Sequence, residues 1–258
     1  MRKYSRFGLY LLDMDGTIYF ENSLIPGAYE FINKLKEENI PYVFISNNSS
    51  VSKSTYLEKL ANLGIPCSED NLFSSAMAMG LYLKENYLDK KVFVVGTKLF
   101  KDELLNYGIN LVDDDSADIL VVGYDRELTY EKLEVACRLL DGDVIFLATN
   151  PDLVYPLKNK RYLPDCGSIC NMLTVATGKS PKYIGKPNPF MIDYLKKKFG
   201  VRNEDVVVVG DRLYTDIQLA INANVNSILV LTGEATKEML EESKVKPNYV
   251  VDSIKDLI

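Results

Sequence analysis

The chain has 258 residues, 47% hydrophobic and 26% charged, with a formal net charge of −6. This composition excludes collagen-like and low-complexity architectures, and the length allows one large or two modest domains to fold without a disulfide or metal staple. No basic stripe for nucleic acid and no apolar run of the ~20 residues needed to span a membrane is present, and the absence of His removes Ser-His-Asp and Cys-His catalysis.

The basic start, Met1-Arg2-Lys3, precedes only a short apolar stretch at Leu9 to Leu12, too short for a secretory signal core, so a cytoplasmic location is expected. Cys67, Cys137, Cys166 and Cys170 read as reduced structural thiols, because zinc wants four ligands, only Cys166 and Cys170 lie close in sequence, and there is no His. In chain order, the predicted strands are Tyr10–Leu12, Tyr42–Ser46, Val92–Gly96, Ile119–Gly123, Val144–Ala148, Val206–Gly210 and Ser227–Leu231. Amphipathic helices are predicted between them, near 27–39, 52–63, 75–86, 98–107, 129–141, 188–199, 213–223 and 235–243. The run Val206-Val207-Val208-Val209 is apolar on both faces, as a covered central parallel strand requires. Asn188-Pro189 predicts a helix start with Asn at the cap and Pro at the first helical position, and Gly64 and Gly200 predict helix ends. Residues 151–168 predict a long loop or a short hairpin. The whole alternation argues for α/β architecture, and the strands near 92–148 form a self-contained βαβαβ set.

Four polar clusters fall at strand ends or directly before helices, where ligands bind in open parallel sheets. In Asp13-Met14-Asp15-Gly16-Thr17, the two carboxylates at i and i+2 of an extended segment face the same way while Met14 turns inward. Ser46-Asn47-Asn48-Ser49-Ser50 offers a hydroxyl and amides suited to phosphate oxygens. Gly185-Lys186-Pro187 holds an ammonium before a helix, and Gly210-Asp211-Arg212 ends the strongest strand, with Asp216 five residues after Asp211. Each cluster alone also reads as turn, capping or surface chemistry. Together they would put several carboxylates at one sheet edge. Two such charges ~4 Å apart repel by ~4 kcal/mol at an effective dielectric of ~20. A cation must offset that, and with oxygen ligands only, Mg²⁺ is the natural choice.

The ordered set D-x-D-G-T, strand-terminal Ser-Asn, Lys before Pro, and G-D-x-x-x-x-D resembles the haloacid dehalogenase (HAD) superfamily across nearly the whole chain. Ser46-Asn47-Asn48-Ser49, Ala148-Thr149-Asn150-Pro151-Asp152, Ile184-Gly185-Lys186-Pro187-Asn188-Pro189 and Gly210-Asp211-Arg212-Leu213-Tyr214-Thr215-Asp216-Ile217 resemble its NagD-like, p-nitrophenylphosphatase-type subfamily, subclass IIA. The resemblance implies a Rossmann-like, doubly wound parallel-sheet core at 1–79 and 181–258, interrupted by a large α/β cap at 80–180. It implies Asp13 as nucleophile, Asp15 as general acid and base, and Mg²⁺ held by Asp13, Asp211 and the Asp15 carbonyl. Ser46, Asn47 and Lys186 would hold the phosphoryl oxygens, with Asp216, Thr17 and Asn48 behind these groups. Asn150, Asp152, Asp165 and Ser168 are candidates for contacting the leaving group, although ordinary turn chemistry also accounts for them. The expected activity is a Mg²⁺-dependent phosphatase acting on a small phosphorylated metabolite, with no nucleic-acid or membrane partner. Cap-mediated dimers among similar proteins add a homodimer to the expectations. A phosphomutase, a phospho-receiver signalling module and a catalytically silent binding protein are the competing readings.

Overall fold

The computed structural model describes residues 7–65, 67–157 and 161–258; the Met1-Arg2-Lys3 start lies outside them. The chain divides into two compact units. Among the described residues, one comprises those up to 46, 54–73 and 186–258, and the other 47–53 and 74–185.

The first unit is organised by a six-stranded sheet in the order Tyr249–Val251, Asn226–Val230, Val206–Gly210, Leu9–Leu12, Tyr42–Ser46, Leu72–Ser74. Leu9–Leu12 pairs in parallel with Val206–Gly210 on one side and with Tyr42–Ser46 on the other. The four valines 206–209 are fully buried, as their two-sided apolar pattern predicts. Burial of one such side chain is worth about 2 kcal/mol, so this strand alone strongly specifies the register. The first strand lies between a neighbour that precedes the next helical crossover and one that arrives from late in the chain. The sheet therefore reverses its winding beside Leu9–Leu12, which opens a crevice at the carboxyl ends of the strands.

The second unit is built on a five-stranded sheet, ordered Lys182–Tyr183, Ile145–Ala148, Ile119–Val122, Lys91–Val95, Asn110–Leu111, with every pairing parallel. Its core gathers Phe93, Leu120, Val122, Leu139, Phe146 and Leu173 against the helices Tyr130–Asp141 and Cys166–Thr177. Residues 151–168 contain an antiparallel hairpin, Val154–Leu157 with Arg161–Pro164.

Local signals are mostly realised. Gly64 and Gly200 adopt positive φ (77° and 65°) at helix ends. Four strands of the two sheets, Leu72–Ser74, Asn110–Leu111, Lys182–Tyr183 and Tyr249–Val251, are absent from the predicted set, and two further details differ from expectation. Pro189, not Asn188, occupies the cap of the helix Phe190–Phe199, while the Asn188 side chain still accepts from the Phe190 N–H at 3.0 Å. The segment predicted as one helix at 213–223 opens with a π-helical turn, Leu213–Ile217, and only then continues as Gln218–Asn222. No helix among the described residues is long and apolar enough to cross a membrane.

Candidate active site

The Asp13 N–H extends the strand ladder by donating to the Val209 carbonyl at 2.8 Å, so Asp13 leaves the sheet at the carboxyl edge of its central strand. Met14 is fully buried, and its carbonyl accepts from the Ile18 and Tyr19 amides at 2.9 and 3.1 Å. This turn presents Asp13 and Asp15 while Met14 anchors in the core, as the alternation of an extended segment dictates. Gly16 completes the turn at φ +90°, and a Cβ there would lie 2.5 Å from Asp211 Oδ2. Only glycine combines that backbone with that approach.

Asp211 follows the valine strand and is 2% exposed. Its Oδ2 accepts from the Glu234 N–H at 2.7 Å, whereas its Oδ1 is buried with no hydrogen-bond partner among the described residues. The π-helical turn brings Asp216 back over the strand end. A Cβ on Gly210 would collide with Asp216, which accounts for glycine at that position. Lys186, 3% exposed, donates to Asp13 Oδ1 at 2.5 Å and to Asp216 Oδ1 at 2.7 Å. Asp216 Oδ2 accepts from the Arg212 N–H at 3.1 Å.

The electrostatics are unbalanced. One oxygen each from Asp13, Asp211 and Asp216 lies within 4.8 Å of the others. Three carboxylates against one ammonium leave an excess of negative charge in a buried space. Burial raises Asp211 well above the usual carboxylate range, and the charges of Asp13 and Asp216 add to it. Burial likewise pushes Asp216 up to about 6 against the pull of Lys186. Burial pulls Lys186 down, but Asp13 and Asp216 outweigh it and keep the ammonium above its ordinary value. Asp15 is raised by burial, with Lys59, Arg212 and Lys186 opposing. A hard divalent cation suits this donor set. The donors are all oxygen, the charge excess is negative, and Asp211 Oδ1 is a buried acceptor lacking a donor.

Four of the residues singled out from the sequence, Asp13, Lys186, Asp211 and Asp216, thus form one cluster, with Asp15 on the same turn. Thr17 Oγ1 is buried without a partner among the described residues. Ser46 Oγ lies 3.0 Å from Tyr56 Oη at its strand end. The remaining candidates are knit together within the second unit. Asp152 Oδ2 accepts from Asn47 Nδ2 at 2.7 Å and Asn150 Nδ2 at 2.8 Å. Asp165 Oδ1 caps the Cys166 N–H at 2.5 Å and accepts from Asn150 at 3.3 Å. Asn48 Oδ1 accepts from the Ser50 N–H at 2.9 Å, and Ser168 Oγ donates to the Leu153 carbonyl at 2.5 Å.

Sequence reasoning missed the Thr232-Gly233-Glu234 loop. Thr232 Oγ1 donates to the Gly16 carbonyl at 2.7 Å, and a Cβ on Gly233 would collide with Asp211. A glycine just beyond the strand Asn226–Val230 was the available cue. Lys59 was missed too, whereas Arg212 was singled out only as part of the Gly210-Asp211-Arg212 cluster and given no role. Arg212 pairs with Glu234 at 3.1 Å, and no local pattern marks Lys59 as belonging to this edge.

A parallel sheet with an acidic, lysine-bridged cluster at its winding reversal agrees with the hydrolase class that the sequence motifs resemble. The haloacid dehalogenase-like hydrolase family model matches residues 10–110, and a HAD-hydrolase-like model matches residues 183–257. The chain belongs to the HAD superfamily, in its NagD-like, p-nitrophenylphosphatase-type subfamily, and is a phosphoric monoester hydrolase. It is 34% identical over 249 residues to the 5'-nucleotidase YutF of Bacillus subtilis, covering 96% of both chains. It is 36% identical to an acid sugar phosphatase of Staphylococcus haemolyticus, covering 96% of this chain and 93% of that one. The structure of a 4-nitrophenylphosphatase from Thermotoga maritima superposes with a TM-score of 0.93 at 41% identity, covering 98% of this chain and 96% of that one.

Proposed function

We propose that the protein is a Mg²⁺-dependent phosphatase of small phosphorylated metabolites that works through a phosphoryl group carried on Asp13. The observation that carries this reading is the buried Asp13–Lys186–Asp216 bridge beside an Asp211 carboxylate with one oxygen lacking a donor. Asp13 and Asp211, with the Asp15 carbonyl, would hold Mg²⁺, which when bound supplies positive charge against the carboxylates and the incoming phosphate.

The chain's own groups perform the chemistry. Lys186 fixes the Asp13 carboxylate and neutralises part of its charge. An Asp13 oxygen attacks phosphorus, forming the acyl–phosphate bond as the bond to the leaving oxygen breaks. Asp15, whose protonated form burial favours, gives its proton to that leaving oxygen. The resulting Asp15 carboxylate then takes a proton from water as the water oxygen attacks phosphorus, releasing phosphate and restoring Asp13. Lys186, Ser46 and Asn47 hold the non-bridging oxygens. Asp216 holds Lys186 in line, and Thr17 and Asn48 support the two loops. We assign residues 80–180 the role of substrate-selecting cap, with Asn150, Asp152, Asp165 and Ser168 as its polar contributors.

The relatives' names favour nucleoside monophosphates and sugar phosphates as natural substrates and p-nitrophenyl phosphate as an artificial one. The test is phosphate release from p-nitrophenyl phosphate with Mg²⁺ and with EDTA. Release only with Mg²⁺ is expected; equal rates in both would overturn the reading. Product analysis on a sugar phosphate separates hydrolysis from internal transfer.

A further inference from the structure

The turn that carries Asp15 is closed by Tyr19. The Gly16 N–H donates to the Tyr19 carbonyl at 2.8 Å, the Tyr19 N–H returns to the Met14 carbonyl at 3.1 Å, and Asp15 pairs with Tyr19 as an isolated bridge. The Tyr19 ring is fully buried, and its hydroxyl donates to Met14 Sδ at 3.8 Å. Lys59, from the helix Lys53–Asn62, lays its ammonium 3.8 Å from the centroid of that ring. The hydrolytic scheme above makes no use of Lys59.

The placement is costly for a surface-type residue. Lys59 is half-buried, and burial lowers its pKa against the pull of Asp15 and Glu21. A cation over an aromatic face is stabilised by the ring's quadrupole, more so where water is excluded. The same contact restrains the ring, and through the ring the backbone bonds that set the direction of the Asp15 side chain.

We propose that Lys59 is a positioning residue for phosphoryl transfer: by seating its ammonium on the Tyr19 ring it holds the Asp13–Tyr19 turn so that the Asp15 carboxyl meets the leaving oxygen. This rests on the assignment of Asp15 as the general acid. A p-nitrophenolate leaves as an anion without needing a proton, whereas an alkoxide does not. Loss of positioning must therefore fall on alkyl phosphates alone.

The experiment measures kcat/KM, which covers steps only up to departure of the leaving group, for glycerol phosphate and p-nitrophenyl phosphate in wild type, Lys59→Met, Lys59→Arg and Asp15→Asn. Amide hydrogen exchange over residues 14–20 is followed without substrate or metal. In Lys59→Met, kcat/KM should fall ~10-fold or more for glycerol phosphate and less than ~3-fold for p-nitrophenyl phosphate. Exchange at Gly16 and Tyr19 should quicken, and Lys59→Arg should restore most of both. An equal loss on the two substrates, no loss, or unchanged exchange overturns the proposal. Should Lys59→Met fail to fold, Lys59→Gln is read by the same ratio and exchange. Full glycerol phosphate activity in Asp15→Asn sinks the underlying assignment instead, whatever Lys59 variants do.

Discussion

The protein contains two parallel α/β sheets, and both place carboxylates on the loops that follow their strands. What differs is how those charges are compensated. In the second unit, Asp125 follows the strand Ile119–Val122 and is held by the Lys132 ammonium at 2.7 Å and the Glu127 N–H at 2.8 Å. Lys132 also donates to the carbonyls of Gly96 and Glu127, both at 3.0 Å. Asp152 and Asp165 are likewise satisfied by amides. In the first unit, Asp13 and Asp216 share one lysine, and Asp211 keeps a buried oxygen without a donor among the described residues. Fold class therefore does not mark the chemical edge. A buried carboxylate is costly unless paired, so the edge left with surplus negative charge is the one arranged to receive something positive.

The largest test of this contrast is Asp13→Asn, which removes the attacking oxygen. Phosphatase activity should fall by ~10⁴-fold or more, while an unaffected rate would end the case for Asp13. Next comes Lys132→Met, which leaves Asp125 buried and unpaired in the satisfied region. A loss of about 3 kcal/mol in urea unfolding is expected, and a neutral result would mean that this compensation contributes little. Opposite in sign is Asp211→Asn in EDTA. The folded-state pKa of Asp211 is raised, so its ionisation disfavours folding once pH exceeds its unfolded value, and removing the charge should help at neutral pH. A gain of about 2–4 °C in Tm is expected together with loss of activity. A lower Tm would show that Asp211 is better compensated than its geometry indicates.

The smallest effect concerns Glu103, on the helix Lys98–Asn106 of the second unit, where burial raises the carboxyl against a hydrogen bond from the Lys53 N–H. Its ionisation also disfavours folding, so Glu103→Gln should raise Tm slightly at pH 7 and leave it unchanged near pH 4. A gain that persists at acid pH would point to packing instead.

Much of the site was legible because its pieces obey local rules. Two aspartates at i and i+2 after an apolar strand must share a face, and Asp211 at the end of four fully buried valines must sit at a strand terminus. The π-helical turn was not legible. Nothing in Leu213–Ile217 forbids an α-helix, and the wider turn coincides with the return of Asp216 toward Lys186, 30 residues away in sequence. Pro189 moved to the helix cap while Asn188 kept its hydrogen bond to Phe190, a one-residue displacement that the same cap chemistry tolerates. Glu234 was invisible because its contribution is a backbone N–H, which every residue but proline carries. Lys59 and Asn47 were ambiguous for another reason. One reads as helix surface and the other as a turn residue until their partners, the Tyr19 ring and Asp152, are known.

The amino-acid order by itself determined the alternation of strands and helices, the chemical groups available and the sharp turn that presents Asp13 beside Asp15. These follow from side-chain periodicity and the few backbone conformations open to each residue type. Only the tertiary structure decided that one lysine would bridge Asp13 and Asp216 and that Asp211 would keep an oxygen unsatisfied. Charge balance depends on through-space distance and on excluded water, and here it joins segments 173 residues apart, a separation over which no local pattern carries information.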